Sequence, residues 1–152
     1  MTNDMGKVEH KIKVLIADDD EFIREGLLQL LDEDLAIEVV GSATNGEEAI
    51  EQAGTLKPDV VVMDLSMPAL DGVAATKQIL NARENIAVVA LSVYTDIERA
   101  REVVEAGAMG YVVKAGAQRY LIGAIHAVAS GNVFFSPGIS GKLLESLHRT
   151  ES

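Results

Sequence analysis

The sequence predicts an open, doubly wound α/β fold with a parallel sheet of five strands in the order 2-1-3-4-5. Three observations support it: short apolar runs rich in β-branched residues, amphipathic segments between them, and connections of ordinary length. The apolar runs lack polar alternation, which is typical of parallel strands buried on both faces. Strands that alternate with helices along the chain then favour a sheet covered by helices on both sides.

The first half of the chain supplies two strand and helix pairs. Strand 12–17 precedes a helix whose apolar residues are spaced i, i+4, i+7 and i+8: Ile23, Leu27, Leu30 and Leu31. Asp20 and Glu21 are interpreted as the cap and first-turn acids of this helix. Strand 37–40 precedes a second helix, which begins after Asn45-Gly46 and ends at Lys57-Pro58.

The second half continues the same alternation. Strand 60–63 leads to Asp71-Gly72, which predicts a turn and the start of the third helix. Strands 86–91 and 111–113 precede the last two helices, whose ends are predicted at Gly107 and Gly131. A short extended piece and an amphipathic segment follow, at 133–135 and from Ser136-Pro137 onward. We therefore divide the chain into a flexible N-terminal tail, a main domain and a C-terminal extension or linker helix, at 1–10, 11–131 and 132–152.

Composition and charge exclude several classes of protein. The 152 residues fit one domain, and no run of about 18 uncharged apolar residues predicts a membrane span. The polar start MTNDMGKVEHK is unlike a secretory signal, and the absence of cysteine permits the cytoplasmic location that we expect. A net charge of −11 disfavours unaided binding of nucleic acid or anionic lipid.

Polar side chains follow four of the predicted strands. The first strand ends in Asp18-Asp19, and the other three end in Asp64, Ser92 and Lys114. Because the carboxyl ends of parallel strands meet at one edge of a sheet, we expect these groups to lie together. The set suits transfer of a phosphoryl group to a carboxylate: acids hold Mg²⁺, with Mn²⁺ as a possible substitute, and an amine and a hydroxyl meet the phosphoryl oxygens.

Four motifs resemble those of receiver domains in bacterial two-component response regulators, over residues 11–131: VLIADDDEFIREGL, VVMDLSMPALDG, VVALSVYTD and GAMGYVVKAG. The resemblance implies a flavodoxin-like, CheY-like fold and phosphorylation of Asp64 by a sensor histidine kinase or a small phosphodonor. It implies no enzymatic activity beyond self-phosphorylation and slow self-dephosphorylation. The roles it implies are metal ligands at Asp18, Asp19, Asp64 and the Ser66 carbonyl, a phosphate partner at Lys114, and switch residues at Ser92 and Tyr111.

Further stretches are similar to receivers of the LuxR, NarL and FixJ type: IADDDEFIREGL, GYVVKAG and VASGNVFFSP. The similarity implies a transcription regulator that contacts DNA only through an effector domain outside this sequence. A natural single-domain receiver and a phosphorelay intermediate remain alternatives. We expect homodimers through the fourth helix, fifth strand and fifth helix, or through the C-terminal tail. Ala115 replaces a proline that many receivers carry, and a cis bond without proline costs roughly 3 kcal/mol, which disfavours one at Lys114-Ala115.

An enzyme is the main rival among functions. Phosphatases of the haloacid dehalogenase type also use an aspartate nucleophile and Mg²⁺, and they carry a second aspartate two residues later that protonates the leaving group. That position here is Ser66, which argues against turnover.

Overall fold

The computed structural model describes residues 10–83, 85–93 and 97–151, so the predicted N-terminal tail lies outside the described residues except for its last residue. Six strands and six α-helices alternate along this part of the chain: β1 (Ile12–Ala17), α1 (Glu21–Asp32), β2 (Ile37–Ala43), α2 (Gly46–Leu56), β3 (Val60–Asp64), α3 (Gly72–Ala82), β4 (Ala87–Ser92), α4 (Ile97–Glu105), β5 (Gly110–Val113), α5 (Ala117–Ala129), β6 (Phe134–Phe135) and α6 (Ile139–Glu151). No helix in these ranges has the length and apolar character needed to cross a membrane.

The sheet confirms the predicted fold class and strand order. Its strands run β2-β1-β3-β4-β5-β6, and every neighbouring pair is parallel. The difference from the prediction is the sixth strand, Phe134–Phe135, which the sequence predicts only as an extended piece. It pairs with β5 because the chain turns back after α5 at Gly131, whose φ is 88°.

Both faces of the sheet are buried, which explains why its strands lack polar alternation. One face packs against α1 and α5, and its fully buried residues include Ile16, Leu31 and Leu121. The other face packs against α2, α3, α4 and α6, and Met63 and Val103 are buried there. Successive residues of a strand point to opposite faces, so covering both faces requires apolar residues at every position.

Local side-chain caps fix the starts of the helices. Asp20 accepts a hydrogen bond from the Ile23 amide at 3.1 Å, and Asp71 accepts one from the Ala74 amide at 2.9 Å. The cap predicted at Asp20 and the helix start predicted at Asp71-Gly72 are therefore confirmed. At the predicted end of α2, Lys57 takes the left-handed conformation with φ 51°. These caps satisfy backbone groups that a helix terminus otherwise leaves unpaired.

The C-terminal extension lies on the fifth strand and on α4. The Ser136 amide donates to the Tyr111 carbonyl at 2.9 Å, and the Val113 amide donates to the Ser136 hydroxyl at 3.0 Å. Beyond this point α6 packs against α4, with Ile139 and Leu143 buried. The chain's own extension thus covers part of the surface where the sequence suggests a homodimer.

Candidate functional site

The predicted chemical residues lie at the carboxyl edge of the sheet. Asp18 directly follows β1, Asp64 ends β3 and Ser92 ends β4. Lys114 begins a short 3₁₀ turn that continues from β5, and the peptide bonds of the described residues are all trans, including Lys114-Ala115. Three charged groups from three separate strands therefore meet, as expected for strands that all point the same way.

Lys114 lies between two buried carboxylates. Its Nζ is 3.2 Å from Oδ2 of Asp18 and 3.2 Å from Oδ2 of Asp64. The side chains of Asp18 and Asp64 are 0% and 1% exposed, and that of Lys114 is 14% exposed. Water screens these charges little, so one cation faces two anions in a medium where their interaction is strong.

The second oxygen of each carboxylate is held by a backbone amide two residues further along. Oδ1 of Asp18 accepts from the Asp20 amide at 2.9 Å, and Oδ1 of Asp64 accepts from the Ser66 amide at 3.0 Å. These matching turns aim both Oδ2 atoms at Lys114. The two carboxylates are thus oriented before any ligand arrives.

The surroundings shift the protonation equilibria of this group. Burial raises the pKa of the Asp64 carboxyl, the nearby charge of Asp18 raises it further, and the Ser66 amide opposes both. Burial alone lowers the pKa of Lys114, but the charges of Asp64 and Asp18 outweigh it, so the pKa is raised. The raised pKa of Lys114 keeps its ammonium protonated, and the raised pKa of Asp64 means that burial disfavours the ionised form of this carboxyl.

Three carboxylates also form a cluster suited to a cation. Asp18, Asp19 and Asp64 each offer one oxygen, and these oxygens lie within 4.8 Å of one another. Oδ2 of Asp18 is buried and, apart from its ion pair with Lys114, accepts no hydrogen bond in the described part of the chain. Asp19 is exposed, which leaves the cluster open to solvent. A set of carboxylate oxygens, one of them buried and paired with Lys114 alone among the described residues, fits a small divalent cation such as Mg²⁺.

The remaining predicted residues lie in the loop after β3 and in strands β4 and β5. Ser66 is exposed and contributes its amide to Asp64. Ser92 is fully buried and stands opposite Val113 in the pairing of β4 with β5. Tyr111 is also fully buried, two residues earlier in β5 and opposite Phe135 of β6. Both predicted switch residues therefore lie inside the protein.

Sequence reasoning missed three residues that shape the site. The Arg24 guanidinium donates to the Asp18 carbonyl at 2.8 Å, and the Arg99 guanidinium donates to the Leu65 carbonyl. A Cβ at position 72 would lie 2.3 Å from the Asp64 carbonyl oxygen, so only glycine lets α3 begin here. The Asp71-Gly72 pair was a usable signal for the third residue, but neither arginine has a sequence pattern that indicates its contact.

The open parallel sheet, with buried carboxylates and a lysine where its strands end, identifies a doubly wound α/β domain that carries its functional site at the carboxyl edge of the sheet. Its particular family follows from comparison with known proteins: the response regulator receiver domain family matches residues 14–126. The chain belongs to this family, as a receiver domain of two-component response regulators of the LuxR and NarL type.

Individual relatives agree with this assignment. The response regulator GacA of Pseudomonas syringae pv. syringae strain B728a is 38% identical over 132 residues, which cover 87% of this chain and 62% of GacA. The chain thus spans about three-fifths of this relative's length. The crystal structure of a LuxR-family response regulator from Aurantimonas sp. SI85-9A1 aligns with a TM-score of 0.85 at 30% identity, covering 90% of this chain and 97% of that one. A structure of two RcsB dimers bound to two parallel DNAs aligns with a TM-score of 0.80 at 26% identity, covering 88% and 68%.

Proposed function

We propose that this receiver domain accepts a phosphoryl group on Asp64 from the phosphohistidine of a sensor histidine kinase. The observation that carries the proposal is the placement of the Asp64 carboxylate, buried at the sheet edge with Oδ2 3.2 Å from the Lys114 ammonium. The acidic cluster beside it suits the metal that phosphoryl transfer requires. A small phosphodonor would react at the same carboxylate.

The transfer makes one bond and breaks one. An oxygen of the Asp64 carboxylate attacks phosphorus, a P–O bond forms, and the P–N bond of the donor breaks, leaving its electron pair on the imidazole. An ionised carboxylate needs no general base, which agrees with a site built from acids and one lysine. Lys114 places a positive charge beside the oxygens of the incoming phosphoryl group.

Asp18, Asp19 and Asp64 would hold Mg²⁺ together with the Ser66 carbonyl. When bound, the cation neutralises phosphoryl oxygens and aligns them with the attacking carboxylate. Mn²⁺ accepts the same oxygen ligands. Without the cation, the charge of Lys114 and the backbone amides of Asp20 and Ser66 offset part of the repulsion between the carboxylates.

The same proposal assigns Ser92 and Tyr111 to the response. The Ser92 hydroxyl would donate a hydrogen bond to the new phosphoryl group, and Tyr111 would repack in the space that this movement leaves. Because Tyr111 is already buried, its switch is a change of packing rather than of exposure. Such a hydrogen bond to an anion exists in one state only and shifts the population toward that state.

The output we propose is regulation of transcription through a DNA-binding domain outside this sequence, in the cytoplasm. Support comes from GacA, which extends well beyond the matched region, and from the RcsB structure with DNA. The net charge of −11 on this chain agrees with DNA contact elsewhere in the molecule. Homodimers would form on the face of α4, β5 and α5 or through α6. We further propose acceptance without enzymatic turnover, because Ser66 stands where a hydrolase would need a second carboxylate.

Intact mass after treatment with acetyl phosphate and Mg²⁺ tests the acceptor. We expect one phosphoryl adduct on the unmodified chain, none on Asp64→Asn, and a strongly reduced amount in the presence of a chelator. Asp71→Asn is the matched control, because asparagine keeps the helix cap while removing a carboxylate from the same loop. An adduct retained on Asp64→Asn, or no adduct on the unmodified chain, contradicts the proposal.

A further inference from the structure

A single peptide group joins Asp64 to α4. The carbonyl of Leu65 accepts a hydrogen bond from the Arg99 guanidinium, in the first turn of α4. The amide of the same peptide belongs to Ser66 and donates to Oδ1 of Asp64 at 3.0 Å. The Arg99 guanidinium therefore contacts one end of the Leu65-Ser66 peptide group, and the Asp64 carboxylate contacts the other end. Arg99 and Leu65 lie 34 positions apart in the sequence.

The neighbouring backbone leaves this peptide little freedom. The Leu65 amide donates to the Leu91 carbonyl at 3.0 Å, which fixes one end of the residue to β4. Gly72 lies so close that a Cβ there would be 2.7 Å from the Leu65 Cα. Because sheet and helix hold the peptide on these sides, the hydrogen bond from Arg99 completes its orientation.

The charge on Arg99 strengthens this connection. A hydrogen bond from a guanidinium is stronger than one from a neutral donor. It also polarises the peptide, so the Ser66 amide becomes a better donor, and cooperative strengthening of this kind is about 10–30% per bond. Arg99 thereby acts on Asp64 without touching it.

We infer that Arg99 is a positioning residue for phosphoryl acceptance, which orients the Leu65-Ser66 peptide and links the state of Asp64 to the first turn of α4. The inference rests on the proposed function of Asp64. Phosphorylation converts the carboxylate into an acyl phosphate, so the negative charge leaves the carboxyl group that the Ser66 amide contacts. The Ser66 amide then no longer donates to a charged carboxylate, and the hydrogen bond between the Leu65 carbonyl and Arg99 transmits the altered peptide orientation to α4.

Arg101 provides a matched control on the same helix. The side chains of Arg99 and Arg101 are 28% and 27% exposed. Arg99 pairs with Glu102 at 3.7 Å and also donates to the carbonyl of Leu65, just beyond the end of β3, whereas Arg101 pairs with Glu98 and Glu105 of α4 itself. Replacing either arginine with glutamine removes the same charge from the same element.

The test compares Arg99→Gln, Arg99→Lys and Arg101→Gln by NMR of the ¹⁵N-labelled chain. We expect Arg99→Gln to move the Ser66 amide proton upfield and to speed its exchange with solvent about tenfold, in line with the loss of one hydrogen bond to a charged group. Arg99→Lys should rescue part of the effect, because lysine keeps the charge but not the planar fork. Arg101→Gln should leave the Ser66 amide unchanged.

A second readout is the rate of adduct formation from acetyl phosphate at saturating Mg²⁺. We expect Arg99→Gln to slow it about fivefold, and Arg101→Gln to change it less than twofold, as loss of one polarising contact predicts. Phosphorylation should also shift the amide signals of α4 less in Arg99→Gln than in the control.

The outcomes separate the two proposals. If the unmodified chain is phosphorylated but the Ser66 amide is unchanged in folded Arg99→Gln, the proposed role of Arg99 is overturned and the proposed function of Asp64 is not. No adduct on the unmodified chain overturns the proposed function and this role with it. If Arg99→Gln does not fold, scalar coupling across the hydrogen bond between the Arg99 guanidinium nitrogen and the Leu65 carbonyl carbon is measured on the unmodified chain. Its presence supports the inference, and its absence overturns it.

Discussion

The carboxyl edge of the sheet and the outer surface of α4 hold the same kinds of charged side chain in opposite environments. At the edge, Lys114 meets two carboxylates that are almost fully buried, at 3.2 Å each. On α4, Arg101 meets Glu98 and Glu105 at 3.7 and 3.9 Å, and these glutamates are 74% and 68% exposed. The distances differ by only about half an ångström and both cations are mostly buried, but the carboxylates are almost fully buried at the edge and mostly exposed on α4.

The difference shows that ion pairs in one domain serve separate purposes. Exposed pairs are screened by water and contribute little to stability. Buried charges lose their hydration, and their mutual attraction only partly offsets that loss. An unequal set of two anions and one cation at the edge therefore indicates a site kept for binding and chemistry rather than for stability.

The largest effect should follow from Lys114→Met. Without metal, the variant leaves Asp18 and Asp64 facing each other with no cation, so we expect a loss of about 3 kcal/mol in the free energy of unfolding. Added Mg²⁺ should restore much of it, because the cation replaces the missing charge. Urea unfolding with and without Mg²⁺ measures both values. A loss that Mg²⁺ leaves unchanged would show that the carboxylates do not form the cation site.

Asp64→Asn should have a smaller effect of the opposite sign. Burial makes the ionised form of Asp64 unfavourable, so asparagine should raise the free energy of unfolding at neutral pH by about 1 kcal/mol in the absence of metal.

The pH dependence provides the check. Because the pKa of Asp64 is raised in the folded state, its ionisation costs stability as pH rises from the ordinary value of 3.8 through the folded value. The advantage of the variant should therefore disappear below pH 3.8. Asp71→Asn, measured in parallel, should show no such gain, and an equal gain would point to net charge as the cause.

The pair of His126 and Asp34 lies between the two extremes. Nε2 of His126 is 2.9 Å from Oδ2 of Asp34, and their side chains are 43% and 21% exposed. The hydrogen bond to His126 lowers the pKa of Asp34, and the Ala36 amide adds to this. We expect His126→Ala to cost about 0.5 kcal/mol, as for other partly exposed pairs.

The sign follows from the lowered pKa. Asp34 contributes stability above its ordinary value of 3.8, and this contribution is lost as pH falls through the folded value. NMR titration of the Asp34 carboxyl in both chains measures the shift. A carboxyl that titrates identically in His126→Ala would refute the contribution of the histidine.

The smallest effect should come from Arg101→Gln. Removing its ion pairs with the exposed Glu98 and Glu105 should change the free energy of unfolding by less than about 0.5 kcal/mol. High salt should reduce even this difference, because exposed charges are screened. Urea unfolding at low and high salt measures it, and a loss comparable to that of Lys114→Met would remove the distinction between the two regions.

Local signals explain what the sequence predicts correctly. Strand β1 matches its predicted bounds, and Asp20 and Asp71 cap helices as their residue types indicate. The convergence of Asp18, Asp64 and Lys114 is also predictable, because parallel strands place their carboxyl ends together.

Contacts between distant segments explain what it misses. The pairing of β6 with β5 depends on where α5 ends and in which direction the chain then continues. A run of two phenylalanines is too short for the sequence to predict a strand there. The hydrogen bond from Arg99 joins residues whose proximity arises only after the sheet has formed.

The pairing of β6 with β5 also determines where the domain can be cut or joined to another. A fragment that ended at Gly131 would lose the partners of the Tyr111 carbonyl and the Val113 amide. It would leave β5 as a bare edge strand, which invites pairing with other chains and aggregation. It would also uncover the surface beneath Ile139 and Leu143. Recombinant fragments and fusions to a new output module should therefore place their joint after the end of α6.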